Sequence, residues 1–169
     1  NPLAVFGVND QNELWVKEWT NWNETDWSDT EWVKLMDGVA IERPSVVSRH
    51  SNHLGVAIRA QSHKEVRYIE WSTKSGWKTA QLLGKGGSSD LSAPVTLVAT
   101  AKDAMSLFTV QQGQIWYRNW DEDAQWGAWQ KLAGMTVQDS KALTAVVRGP
   151  HDYMLLGIDT NNDVVTKQF

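Results

Sequence analysis

Apolar and polar positions alternate along this chain in short bursts, and the bursts return. Four segments fall into register: Leu14-Trp15-Val16-Lys17-Glu18-Trp19, Val66-Arg67-Tyr68-Ile69-Glu70-Trp71, Ile115-Trp116-Tyr117-Arg118-Asn119-Trp120 and Val164-Val165-Thr166-Lys167-Gln168-Phe169. Each opens on an apolar residue and closes on an aromatic one. The closing aromatics are separated by 52, 49 and 49 residues. Alternation at period two predicts strands, and self-similarity at about 50 residues is the mark of stacked β units.

Every one of these segments follows an apolar run across a short polar turn: Ala4 to Val8, Gly55 to Arg59, Leu107 to Val110 and Leu155 to Asp159. Ahead of three of the runs stands a further β-rich stretch, at Ser45 to Arg49, Val95 to Ala99 and Ala145 to Arg148. Behind three of the closing aromatics, a tryptophan leads to glycine: Trp32 to Gly38, Trp77 to Gly84 and Trp129 to Gly134. The unit is therefore four short strands. No apolar period near 3.6 survives over ten residues with a cap, so no helix of consequence is predicted. Four antiparallel strands per repeat, stacked around an axis, describe an all-β propeller. A β-sandwich would explain the short strands but not the self-similarity. The repeats span 1–43, 44–93, 94–141 and 142–169 of a single domain.

Composition narrows the function. The 169 residues carry no cysteine, which excludes zinc ribbons and thiol chemistry and leaves localisation open. Sixteen basic and twenty acidic residues give a net charge of -4 without blocks, which argues against a nucleic-acid partner. No run approaches the ~20 apolar residues of a membrane helix, so no membrane insertion is expected. Eleven tryptophans are the outlying count. Tryptophan that is not buried is commonly spent at a binding surface.

The order of apolar strand, hairpin, L-W-x-K-x-W strand, W-x-x-W-x-x-L-x-G strand and P-x-V-V-S-R resembles the seven-bladed propeller lectins typified by the Photorhabdus lectins and related fungal proteins. Here it is carried by Trp126-Gly127-Ala128-Trp129-Gln130-Lys131-Leu132-Ala133-Gly134, by Pro44-Ser45-Val46-Val47-Ser48-Arg49 and by Val147-Arg148-Gly149-Pro150. The resemblance covers nearly the whole chain. It implies a lectin with shallow sites between adjacent blades, for fucose or related monosaccharides, working without a catalytic step or a cofactor. The arginine that often closes the second strand in that family stands here only as Arg59. The chain would carry about half of a seven-bladed ring.

Aromatic faces suit sugars because the axial C–H groups of a pyranose form an apolar patch, while charged and amide groups satisfy the hydroxyls. Trp15, Tyr68, Trp116, Tyr117 and Trp126 are the aromatic candidates. Arg59, Arg67, Glu70 and Arg118 are their polar companions, and a guanidinium can hold two sugar oxygens at once. Trp22 and Trp27 fall in a loop and are further candidates. The closing aromatics Trp19, Trp71, Trp120 and Phe169 are expected in the core.

Other chemistry finds less support. The four histidines at 50, 53, 63 and 151 show no metal-ligand spacing. Asp159-Thr160-Asn161-Asn162-Asp163 places oxygens at alternate positions as calcium loops do, but lacks the glycine and the later bidentate acid. No nucleophile, zincin or phosphate-loop motif occurs, and a glycosidase would need a facing pair of carboxylates. No enzyme is therefore expected; the alternative reading is a scaffold that displays loops to a protein partner, with a glycosidase further behind. Counted by repeat phase, the units hold three, four, four and three strands. A second polypeptide, another fragment or another copy, is expected to complete the ring, with glycans or glycoproteins as the ligands.

Overall fold

The strand pattern is realised as four antiparallel sheets in chain order, and among the described residues there is no helix. The computed structural model describes residues 3–19 and 31–169; Trp22, Trp27 and the side chain of Trp19 lie outside the described residues. Sheet 1 joins β1 (Leu3–Val8), β2 (Leu14–Trp19) and β3 (Val33–Met36). Sheet 2 joins β4 (Ser45–Val47), β5 (His53–Arg59) and β6 (Val66–Ser72) to an outer strand in two pieces, β7 (Gly76–Trp77) and β8 (Gln81–Gly84). Sheet 3 repeats that plan with β9 (Thr96–Ala101), β10 (Ala104–Gln111), β11 (Gln114–Asp121), β12 (Gln125–Trp126) and β13 (Gln130–Thr136). Sheet 4 joins β14 (Thr144–Gly149), β15 (Asp152–Ile158) and β16 (Val164–Gln168).

The register is the same in each central hairpin. Leu3 opposes Trp19, Leu54 opposes Trp71, and Met105 opposes Trp120. In sheet 4 the Phe169 N–H reaches Tyr153 O at 3.0 Å. Since a slip of one residue would turn every side chain to the wrong face, this shared register fixes which positions meet the neighbouring sheet.

Three apolar clusters fill the three seams. Leu14 and Met36 of sheet 1, with Val39 just beyond it, meet Val56, Ile58 and Ile69 of sheet 2. Ala57, Val66 and Tyr68 of sheet 2 meet Leu97, Met105, Leu107 and Trp120 of sheet 3. Phe108, Val110 and Ile115 of sheet 3 meet Tyr153 and Leu155 of sheet 4, with Phe169 packed against them. Sheets 2 and 3 thus each turn one face to the preceding sheet and the other to the next. Of the closing aromatics, Trp120 is buried at 4% exposure, while Trp71 and Phe169 are half-buried.

The first strands β4, β9 and β14 converge on one side and line a common hollow of about 280 Å³. Hydroxyls tie them together: Leu97 N–H donates to Ser45 Oγ at 2.8 Å, and Thr96 Oγ1 donates to Leu143 O at 2.8 Å. At the other end of the unit, the glycine that follows the tryptophan segment has positive φ in all three cases: 65° at Gly38 and Gly84 and 75° at Gly134. Only glycine enters that region without steric cost.

Candidate functional site

The positive-φ glycines position the seams. The carbonyl just before each of the first two is the acceptor that the next sheet grips. Arg67 donates Nη1–H to Asp37 O, ahead of Gly38. Arg118 Nη1 and Trp129 Nε1 both donate to Leu83 O, ahead of Gly84, at 2.8 Å each. Arg118 also donates Nη2–H to Trp126 O at 3.2 Å, and its guanidinium stands 5.6 Å and 5.5 Å from the Trp126 and Trp129 ring centres. Burial lowers its pKa. Arg118, expected to hold sugar oxygens, thus spends its Nη groups on the seam between sheets 2 and 3.

The same seam gathers Tyr68, Glu70, Trp116 and Trp126. Tyr68 is 1% exposed and meets Trp126 edge-on at 5.2 Å. Its hydroxyl donates to Glu70 Oε2 at 3.3 Å, and burial raises its pKa. A ring so enclosed offers no face to a ligand, so the stacking role expected of Tyr68 gives way to core packing. Glu70 accepts from His53 Nε2 at 3.3 Å and pairs with Lys78. The His53 bond, reinforced by Lys78 and opposed by burial, holds the Glu70 carboxyl at about 2. Trp116 carries Gly86 and Gly87 on its indole, where a β-carbon at either would fall 2.5 Å and 3.1 Å from ring atoms.

Arg59 also turns inward. It is 9% exposed, pairs with Glu42, and donates Nη1–H to Leu91 O at 2.8 Å. With Nε bonded to Glu42 as well, its fork is consumed by the two segments that link successive sheets. Tyr117 stacks on Phe108 and donates its hydroxyl to Gln130 at 2.8 Å. These placements follow from the repeat: positions that look like a polar and aromatic surface on one strand are interior once two sheets are laid together.

Two hollows among the described residues combine aromatic side chains with polar neighbours from the strands and turns described above. The first lies on sheet 1, where Trp15 and Trp32, with Gly7, Val8 and Asn9, line an apolar cleft of about 370 Å³. Glu13 accepts from Asn9 Nδ2 at 2.7 Å and from Trp15 Nε1 at 3.2 Å, and Lys34 stands 3.1 Å from it. The Asn9 bond first, then Lys34, lowers the Glu13 pKa.

The second is a slot of about 190 Å³ between sheets 3 and 4. Trp120 and Tyr153 are its aromatic lining, and Thr100, Ser106, Asn119, Asp121 and His151 supply polar groups. Ser106 Oγ donates to Asn119 Oδ1 at 3.0 Å and lies 3.2 Å from Tyr153 Oη, so residues from both sheets share one hydroxyl. On the side of sheet 2, Arg49 lies 3.8 Å from the Trp120 ring centre. Asn119, Asp121 and His151 are exposed at its mouth. Sequence reasoning passed over the slot, since its halves come from different repeats. The signal that could have found it is the polar residue before each closing aromatic: Glu18, Glu70, Asn119 and Gln168.

The loop from Asp159 to Asp163 is closed by its own backbone. Asp159 Oδ1 accepts from Asn161 N and Asp163 N, at 2.8 Å and 3.0 Å, as Asn9 Oδ1 does from Gln11 N and Glu13 N. Both are turn caps. Asp121 likewise caps its turn through the N–H groups of Asp123 and Ala124. Among the described residues no group of three or more His, Cys, Asp and Glu is placed to hold a metal ion. No protein-family model and no curated protein matches the chain.

Proposed function

We propose that this chain is part of a β-propeller lectin that binds fucose-like or other monosaccharide ends of glycans in slots between neighbouring sheets. The observation that carries the reading is the slot between sheets 3 and 4. It is about 190 Å³ and is lined by Trp120 and Tyr153 together with an amide, a carboxylate, an imidazole and hydroxyls from two repeats. Such a mixture suits a pyranose, whose C–H faces and hydroxyls need both kinds of partner within a few ångströms. The four sheets in chain order, with β4, β9 and β14 converging, support a propeller. Completion of the ring by further polypeptide belongs to the same proposal.

The test is a glycan array followed by titration calorimetry on the hit, with Asn119→Ala and His151→Asn as variants. His151 has φ of 58°, which asparagine tolerates, so the second variant removes the imidazole without straining the turn. Loss of binding by tenfold or more with unchanged melting temperature supports the slot. An array without a hit, on the intact assembly, overturns the lectin reading and leaves the protein-display scaffold in its place.

A further inference from the structure

All three seams are closed by the same backbone device, and one of them carries extra chain. After the positive-φ glycine of sheets 1, 2 and 3 comes a buried apolar residue whose N–H bonds the hairpin of its own sheet: Val39 to Asn12 O at 3.0 Å, Leu91 to His63 O at 2.7 Å and Val137 to Gly113 O at 3.0 Å. The residue after it bonds the following sheet, Ala40 to Arg59 O, Ser92 to Val110 O and Gln138 to Ile158 O. The matched bonds make Val39, Leu91 and Val137 one position of the repeat. Gly38 stands directly before it and Gly134 three residues before it, whereas Gly84 stands seven before. The stretch from Lys85 to Asp90 is therefore an insertion at the seam between sheets 2 and 3. In stacked repeats, insertions collect on one face, often the binding face.

Between the insertion and the β10–β11 hairpin lies a hollow of about 110 Å³, walled by Gly87, Gln111, Gln114 and Trp116, with Ser88 and Gln112 at exposed positions. Gln111 is 3% exposed, and its Oε1 accepts from Gly87 N–H at 3.1 Å. A backbone N–H can only donate, so that bond fixes which end of the amide is oxygen. Gln111 Nε2 is then a buried donor with no acceptor among the described residues. Thr109 Oγ1, two positions back on the same face of β10 and opposite Trp116 in the register, is buried and without a partner as well. A buried donor left unpaired is costly, and an oxygen supplied by a ligand would remove that cost.

We propose that this hollow takes the acetamido group of an N-acetylated sugar, its carbonyl oxygen accepting from Gln111 Nε2 and its methyl group lying toward the Trp116 indole, with the sugar ring outside beside Ser88 and Gln112. Size selects a substituent, because the hollow holds about four waters, enough for an acetamido group and too little for a pyranose. Charge selects a neutral one. The lining side chains are amides, hydroxyls and an indole, and Lys85, the cation of the insertion, is spent on Ser88 O at 2.9 Å and on Asp90 at 3.3 Å. An unpaired N–H donor beside an apolar ring is the complement of a carbonyl beside a methyl group. Naming a sugar as the bearer rests on the lectin reading above; the hollow is separate from the slot between sheets 3 and 4.

The side-chain amide of Gln111 reports on the site directly. Its nitrogen–proton resonance, assigned by its loss in Gln111→Met, should shift saturably with the methyl glycoside of N-acetylglucosamine and stay in place with methyl glucoside, where a hydroxyl replaces the acetamido group. Ser88→Tyr, at an exposed position of the mouth, should weaken the N-acetylated glycoside tenfold or more with an unchanged circular dichroism spectrum, while Asn119→Ala should leave that affinity within a factor of two or so. Equal shifts with both glycosides, or none with either, overturn the proposal. Sugars that bind, lose affinity in Asn119→Ala and leave the Gln111 resonance in place overturn this site while the lectin reading stands. Free acetamide that moves the resonance of a chain binding no sugar overturns the sugar as the bearer, and the lectin reading with it.

Discussion

Gly86 lies flat on the indole of Trp116, so close that a β-carbon on the glycine would stand 2.5 Å from Trp116 Cε3. The loop after sheet 2 thereby becomes the lid of an aromatic position in sheet 3. Gly86→Ala should destabilise the fold by about 1–3 kcal/mol, the ordinary cost of overpacking. The attribution is checked by a double-mutant cycle in denaturant: in a Trp116→Ala background the same substitution should lose most of its effect.

Arg59 and Glu42 form a charge pair shielded from water, with Arg59 also bonded to Leu91 O. Arg59→Met leaves Glu42 without its partner, and chemical unfolding should register a loss of about 3–5 kcal/mol. Adding Glu42→Leu should restore much of that loss, because the cost comes from the stranded charge. Sugar binding per folded molecule should not change in either variant.

Glu70 supplies a pH dependence. Its folded pKa of about 2 lies below the ordinary 4.5, so the stabilisation is complete above pH 4.5 and is lost as pH falls toward 2. Glu70→Gln should lower stability at pH 7 by about 1.5–3 kcal/mol, the range for a hydrogen bond to a charged group. Thermal melts of the two proteins should converge as the pH approaches 2. A variant whose deficit persists unchanged at that pH would exclude the carboxylate as the source.

Arg118 discriminates structure from ligand contact. Arg118→Ala removes two donors from the carbonyls of Leu83 and Trp126 and uncovers the stems of Trp126 and Trp129. The melting temperature should fall by several degrees, while affinity for the slot between sheets 3 and 4, measured on the folded fraction, should hold within a factor of two or so.

The strands were legible because their period of two and their closing aromatics survive in each repeat, and the same regularity exposed the glycine after the tryptophan segment. What alternation cannot say is which face of a strand a second sheet will cover. Arg59, Tyr68 and Arg118 read as a sugar-binding surface on their own strands and become interior only when the neighbouring sheet is added. The split of the outer strands at β7/β8 and β12/β13 was also hidden, since Lys78 N–H bonding Glu70 O and Gly127 N–H bonding Asn119 O are backbone events with no side-chain signature. The slot at Ser106, Asn119 and His151 escaped for a related reason: its lining comes from residues about one repeat apart.

The shared carbonyls of Asp37 and Leu83 carry a consequence for how the molecule comes apart. Each seam is built half by one sheet and half by the next, so no sheet owns its stability and energy is exchanged only between neighbours, as in a one-dimensional lattice. Sheets 2 and 3 are held from two sides within one chain, and sheets 1 and 4 from one. In a polypeptide of these 169 residues alone, amide protons of β6 and β11 should therefore exchange last, those of β2 and β16 first, and opening should run inward from both flanks like a zipper with two sliders.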